Sequence, residues 1–210
     1  MKNKYFDNYD EYLKLQVSKV GSRDQYSLLD QAESVRKEHY QGTRVGKPRW
    51  AAALAELVPP ADDINALVIG ARWGSDVLFL REAGYSSIAA FDLYDPPLSG
   101  QVETGDAHCL AEFVDPPIHV IWAHHVFEHF FKPSKVMEEL QKVVAPNACM
   151  YVGIPFAPRN KYDAQDEFST PEEFCDLMKG FDFHVAQFHE NKRGKNKTKI
   201  YHFYIFRRAQ

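Results

Sequence analysis

The chain has 210 residues, a net charge of −4, 45% hydrophobic and 26% charged residues. That composition fits one globular domain burying roughly 70% of its unfolded surface, with no need of covalent staples. The longest apolar runs fall far short of the ~20 residues of a membrane span, and the opening MKNKYFDNYDEYLKLQ is too polar and acidic to be expected as a signal peptide or presequence. Cys109, Cys149 and Cys175 are odd in number and widely spaced, which argues against a disulfide framework or a four-thiolate zinc site and favours a reducing, cytoplasmic location. The charge is uneven. Residues 190–210 hold seven Lys/Arg against a single Glu, so residues 1–189 carry a net −10. Most of the basic cluster is KRGKNKTK at 192–199, read as a solvated hairpin loop. The sharper alternative is an anion-attracting loop at the edge of a substrate site. Aromatic residues do not interleave with the lysines, so a nucleic-acid partner is not expected.

Residues 1–60 are predicted to be helical and polar with loops, ending at Val58-Pro59-Pro60. They form an N-terminal extension and candidate lid on a core of residues 61–210. Strand and helix then alternate. ALVIG (66–70) is a strand ending in Gly, Ser75 to Ala83 a helix stopped at Gly84, and SSIAAFD (86–92) a second strand. Val102 to Gly105 is a short third strand and IHVIWA (118–123) a fourth. Pro133 opens the next helix, whose apolar face is Val136, Met137, Leu140, Val143 and Val144, with Pro146 beyond its end. CMYVGI (149–154) is the fifth strand. Thr170-Pro171-Glu172-Glu173 is a capping box opening a helix that Gly180 stops. Phe183–Phe188 and Ile200–Phe206, apolar on both faces, are predicted as buried strands of an antiparallel hairpin. The alternation predicts an α/β fold, a doubly wound Rossmann-like sheet ending in that strand pair.

In such sheets ligands bind beyond the carboxyl ends of the strands, where strand order reverses. After the first strand comes Gly70-Ala71-Arg72-Trp73-Gly74, whose glycines allow a sharp turn and close ligand approach before a helix N-terminus. Asp92 follows the second strand, where a carboxylate can accept both ribose hydroxyls of an adenosine. Gly105-Asp106-Ala107-His108 follows the third, where a carboxylate can accept an adenine amino group. Ala123-His124-His125-Val126-Phe127-Glu128-His129 follows the fourth. Its HVFEH matches the zinc-peptidase pattern H-x-x-E-H, but that chemistry needs one long helix and Pro133 lies four residues on. A metal site is therefore not expected. The dinucleotide fingerprint G-x-G-x-x-G is broken at Arg72, against an NAD-dependent oxidoreductase, and no P-loop occurs.

From about Ala66 to Phe206 these residues resemble the class I S-adenosylmethionine-dependent methyltransferases, in particular small-molecule enzymes with a Glu-His dipeptide after the fourth strand. The resemblance implies a seven-stranded mixed sheet, S-adenosylmethionine as cofactor, and methyl transfer to an O or N nucleophile of a small-molecule acceptor. It makes Gly70, Ala71, Arg72 and Gly74 the cofactor loop, Asp92 and Leu93 the ribose site, and Asp106 and Ala107 the adenine site, with His124 beside them. Departures from the family pattern are Val68 where an acid is usual, Arg72 for the middle glycine, His119 for an Asp, and Pro146-Asn147-Ala148 for Pro-Gly-Gly. Val68 and Arg72 motivate the alternative of a non-catalytic cofactor-binding or scaffold protein. Arg72 also places a cation where it can pair with the ligand's carboxylate or with a substrate anion. His125 and then His129 are the candidate bases, since imidazole ordinarily titrates near neutrality. Arg44, with Tyr40, Lys47 and Arg49, and Arg159 and Tyr162 after the fifth strand form the candidate acceptor region. Their cations point to an anionic acceptor.

Overall fold

The computed structural model describes residues 9–14, 46–72, 74–93, 101–156, 165–193 and 199–209. Residues 9–14 are a short helix, α1. The other helices are α2 (Lys47–Leu57), α3 (Ser75–Glu82), α4 (Pro133–Val143) and α5 (Pro171–Lys179). The strands are β1 (Asn65–Ile69), β2 (Ser87–Asp92), β3 (Glu103–Thr104), β4 (Ile118–His124), β5 (Val144–Pro155), β6 (Phe183–Arg193) and β7 (Lys199–Arg208). They form one mixed sheet in the order β3-β2-β1-β4-β5-β7-β6. β1 runs parallel to both β2 and β4, and β5 parallel to β4. β7 is antiparallel to β5 and to β6, closing the sheet with the predicted strand pair. Strand order reverses between β1 and β4, which opens a crevice beyond their carboxyl ends. No helix among the described residues is long and apolar enough to cross a membrane.

The central strands are apolar on both sides because helices cover both faces of the sheet. Leu67, Ile69, Ile121, Met150 and Val152 pack on one face with Val136, Met137 and Leu140 of α4 and Phe174 of α5. Ala66, Val68, Val120, Trp122 and Tyr151 pack on the other with Trp50 and Leu54 of α2 and Val77 and Leu80 of α3. Successive residues of β1 thus enter opposite cores, as the two-residue strand period requires.

Four sequence expectations change in detail. Lys47, grouped above with the acceptor region, is only 6% exposed and pairs at 2.5 Å with Asp76, itself 7% exposed, in the first turn of α3. It therefore ties α2 to α3 and is not a cation facing the acceptor. β6 is not buried on both faces: it is the sheet's edge, and Val185 and Phe188 are 46% and 51% exposed. A register shift between Val185 and Gln187 interrupts its pairing with β7. Val144 leaves the α4 face and begins β5 directly, with φ −81° and ψ 139°. Three residues on, Asn147 takes φ 62° in the place where the methyltransferase pattern carries glycine, and Asn is among the side chains that tolerate this region best. Gly180 caps α5 in ordinary right-handed geometry, and the left-handed residue is Asp182, φ 63°. The Thr170–Glu173 capping box forms as predicted.

One buried carboxylate joins α4 to the turn after β3. Glu139 accepts Lys142 Nζ at 2.5 Å, Lys135 Nζ at 3.1 Å and the backbone N–H of Ala111 at 3.2 Å. The Lys142 bond is the largest influence holding its carboxyl down to about 2, against the opposing effect of burial. Because the folded pKa lies below the unfolded one, this stabilisation is complete above about pH 4.5 and is lost as pH falls toward 2. Glu139→Gln is expected to cost about 1–3 kcal/mol at pH 7. In denaturant titrations the gap from the unsubstituted protein is expected to close across that acid window.

Candidate functional site

The site is built where β1 and β2 end. Gly70, at φ 70°, and Ala71 both donate their N–H groups to the Phe91 carbonyl at 3.0 Å. Arg72 turns through φ 44° and donates its N–H to Asp92 Oδ2 at 2.7 Å. Leu93 N–H donates to Asp92 Oδ1, also at 2.7 Å. Gly74, at φ 74°, then starts α3, bonded to the Ala71 carbonyl. The glycine at position 70 is obligatory on two counts. Its φ is unfavourable for any side chain, and a Cβ would lie 2.6 Å from Val126 Cγ2.

The next strand end is fixed to the first two. Gly105 donates its N–H to the Asp92 carbonyl at 2.9 Å. Asp106 then caps a 3-10 turn at Ala107–Glu112, its Oδ1 accepting the His108 N–H at 2.9 Å and the His108 ring Nδ1 at 2.7 Å. His108 Nε2 accepts the Lys132 N–H at 3.2 Å, which leaves the ring proton on Nδ1 to donate to Asp106. Asp106 Oδ2 accepts the phenol of Tyr9 from α1.

Beyond β4, His125 takes φ 55° and donates its N–H to the Gly153 carbonyl at 2.7 Å. This left-handed turn reverses the chain into a 3-10 turn at Phe127–His129. It aims His125 and His129 at the crevice, with the buried Glu128 carboxylate between them, 3.8 Å from His125 Nδ1 and 3.9 Å from His129 Nε2. The H-x-x-E-H residues therefore do not share a helix face. Among the described residues no group of three or more His, Cys, Asp or Glu is placed to hold a metal ion.

These ends enclose a cavity of about 120 Å3. Of the sequence-predicted residues, Gly70, Arg72, Asp92 and Leu93 line it, as do Asp106 and Ala107, and His125 and His129. Ala71 instead packs into the α2/α3 core, and Gly74 serves as the α3 cap. His124 points away, its Nδ1 2.9 Å from the Tyr151 hydroxyl and its ring stacked on Phe203. The reason is strand alternation: His124 shares a face of β4 with Trp122. Tyr40, Arg44, Trp73, Arg159 and Tyr162, and most of the 192–199 run, lie outside the described residues.

Sequence reading missed Tyr9 and Tyr12. Tyr12 is 1% exposed and lines the cavity. Burial, then the negative charge of Asp92, pushes its phenol pKa well up. The only local signal was their three-residue spacing, which places both on one face of a helix.

Strand order and the glycine turn together define a doubly wound, Rossmann-like fold. No family profile matches the chain, and no curated protein matches it in sequence. Solved structures do share the fold. The chain is similar to the 1,6-didemethyltoxoflavin-N1-methyltransferase of Burkholderia thailandensis, solved with S-adenosylhomocysteine and 1,6-didemethyltoxoflavin. That likeness has a TM-score of 0.59 at 18% identity over 88% of this chain and 89% of that one. A SAM-dependent methyltransferase of Methanosarcina mazei gives TM-score 0.54 at 18% identity, covering 71% and 94%. The [4+2]-cyclase SpnF gives 0.58 at 13% identity, covering 77% and 80%. One fold therefore accompanies more than one chemistry.

Gly70→Ala is expected to destabilise the protein by about 2 kcal/mol or more, through the left-handed φ and the Val126 overlap. Thermal unfolding measures this. An unchanged midpoint would show that the turn relaxes freely.

Proposed function

We propose that the protein binds S-adenosylmethionine in this cavity and transfers its methyl group to an O or N nucleophile of a small-molecule acceptor. The observation carrying this reading is that two carboxylates, Asp92 and Asp106, stand at adjacent strand ends on the wall of one cavity. Between them they offer acceptors for the hydroxyls and the amino group of an adenosine. The α3 N-terminus with Arg72 favours a carboxylate on the same ligand.

When bound, the cofactor supplies a methyl group already activated by its sulfonium. The residues of this chain then have to align the acceptor, exclude water and take up a proton. His125, or His129 in second place, accepts the proton of a hydroxyl or protonated amine. Glu128, within 4 Å of both rings, favours the resulting imidazolium. Arg44, Arg159 and Tyr162 are assigned to the acceptor, whose character is anionic, in a cytoplasmic setting.

A second reading, cofactor binding without transfer, is favoured by one observation. Val68 is fully buried in the sheet, so the position where related patterns carry an acid offers the ligand no charge. Methyl transfer to any acceptor removes this alternative.

Calorimetry with S-adenosylhomocysteine tests the cofactor assignment. Asp92→Asn is expected to weaken binding by about 10–100-fold, the loss of a charge-assisted hydrogen bond. Absence of binding to the unsubstituted protein at millimolar ligand would overturn the proposal. With an acceptor found by screening anionic alcohols and amines, His125→Ala is expected to lower kcat by about 10²–10⁴ while leaving that affinity intact. An unchanged kcat would remove His125 as the base.

A further inference from the structure

The carboxylate assigned to adenine, Asp106, is already engaged by part of the chain itself. On Asp106, Oδ1 accepts two bonds from His108, and Oδ2 holds the Tyr9 phenol. One helical turn on, Tyr12 lies buried against the cavity within the electrostatic reach of Asp92. Leu93 packs into the same small cluster as Tyr9, Tyr12, Leu13 and Phe131. Two predicted cofactor contacts, Asp106 and Leu93, are thus touched by one six-residue helix that presents a phenol donor where an adenine amino group would donate.

With α1 in place the cavity is about 120 Å3, below the roughly 300–1,000 Å3 typical of sites for ligands of this size. The cluster that seats α1 is separate from both cores of the sheet. It is held by ring contacts: Tyr9 lies 5.2 Å from His108 and 5.7 Å from Phe131, and Tyr12 5.6 Å from Phe131. Releasing the helix therefore leaves the sheet cores intact, the behaviour expected of a locally detachable element.

We propose that α1 is an internal competitor of the cofactor. Its Tyr9 occupies the Asp106 acceptor in the ligand-free protein, and cofactor binding exchanges that phenol for the adenine amino group and loosens residues 9–14. The inference rests on the cofactor reading above. It keeps a donor on Asp106 Oδ2 when the site is empty, and it couples cofactor occupancy to the position of α1.

The test uses the full chain and S-adenosylhomocysteine. Tyr9→Phe keeps the ring and removes the donor, so it is expected to tighten binding about tenfold by calorimetry. Hydrogen exchange of the unsubstituted protein requires no variant, and amides 9–14 are expected to exchange faster when ligand saturates the site. Equal or weaker binding by Tyr9→Phe, with residues 9–14 more protected by ligand, would overturn the inference and make α1 a fixed lid, while the cofactor reading stood. Binding by neither protein at millimolar ligand would overturn both. Binding by Tyr9→Phe alone would support both.

Discussion

A single hydrogen bond organises the functional end of this fold: the N–H of Arg72 donating to Asp92 at 2.7 Å. It joins the turn after β1 to the last residue of β2, beside the paired bonds from Gly70 and Ala71 to the Phe91 carbonyl. The same Asp92 passes its own carbonyl to Gly105, so the position of the third strand end follows from the second. Because Gly70 also lies against Val126, the turn after β4 is set by the turn after β1. The first three strand ends are held together by backbone hydrogen bonds and the fourth by the Val126 side chain against Gly70, and the side chains projecting from them inherit their positions.

That arrangement divides labour across the molecule. The two cores hold the sheet by apolar packing and carry few polar groups. Charged side chains inside are tied to particular joints, Lys47 with Asp76 between α2 and α3, and Glu139 between α4 and the turn after Asp106. The buried ion pair seats the helix whose N-terminus faces the ligand position, and the buried carboxylate seats the turn that Asp106 caps. Of the four left-handed residues that are not glycine, Arg72 and His125 line the cavity, and Asn147 and Asp182 lie elsewhere. Such conformations cost of order 1–3 kcal/mol and persist where surrounding structure over-determines them.

The parallel half of the fold was legible in the sequence because β1, β4 and β5 are central strands, buried on both faces and bounded by Gly and Pro. The cavity residues at the ends of β1 to β3 were legible for the same reason, since position after a strand decides exposure to the crevice. What failed depends on tertiary position. Phe188 and Val185 look like core residues locally, and only the edge placement of β6 exposes them. His124 and His125 are adjacent, yet strand alternation sends one to Tyr151 and a left-handed turn sends the other to the cavity. Lys47 reads as a surface cation until its partner, 29 residues away, is known. Tyr9 meets Asp106 across 97 residues of chain, a pairing no local pattern encodes.

The most direct measurement is a crystal structure with S-adenosylhomocysteine bound. The account predicts ribose hydroxyls on Asp92, the adenine amino group on Asp106 Oδ2, and the sulfur within reach of His125 and His129. A ligand seated elsewhere, or an adenosine whose hydroxyls and amino group avoid both carboxylates, would contradict it.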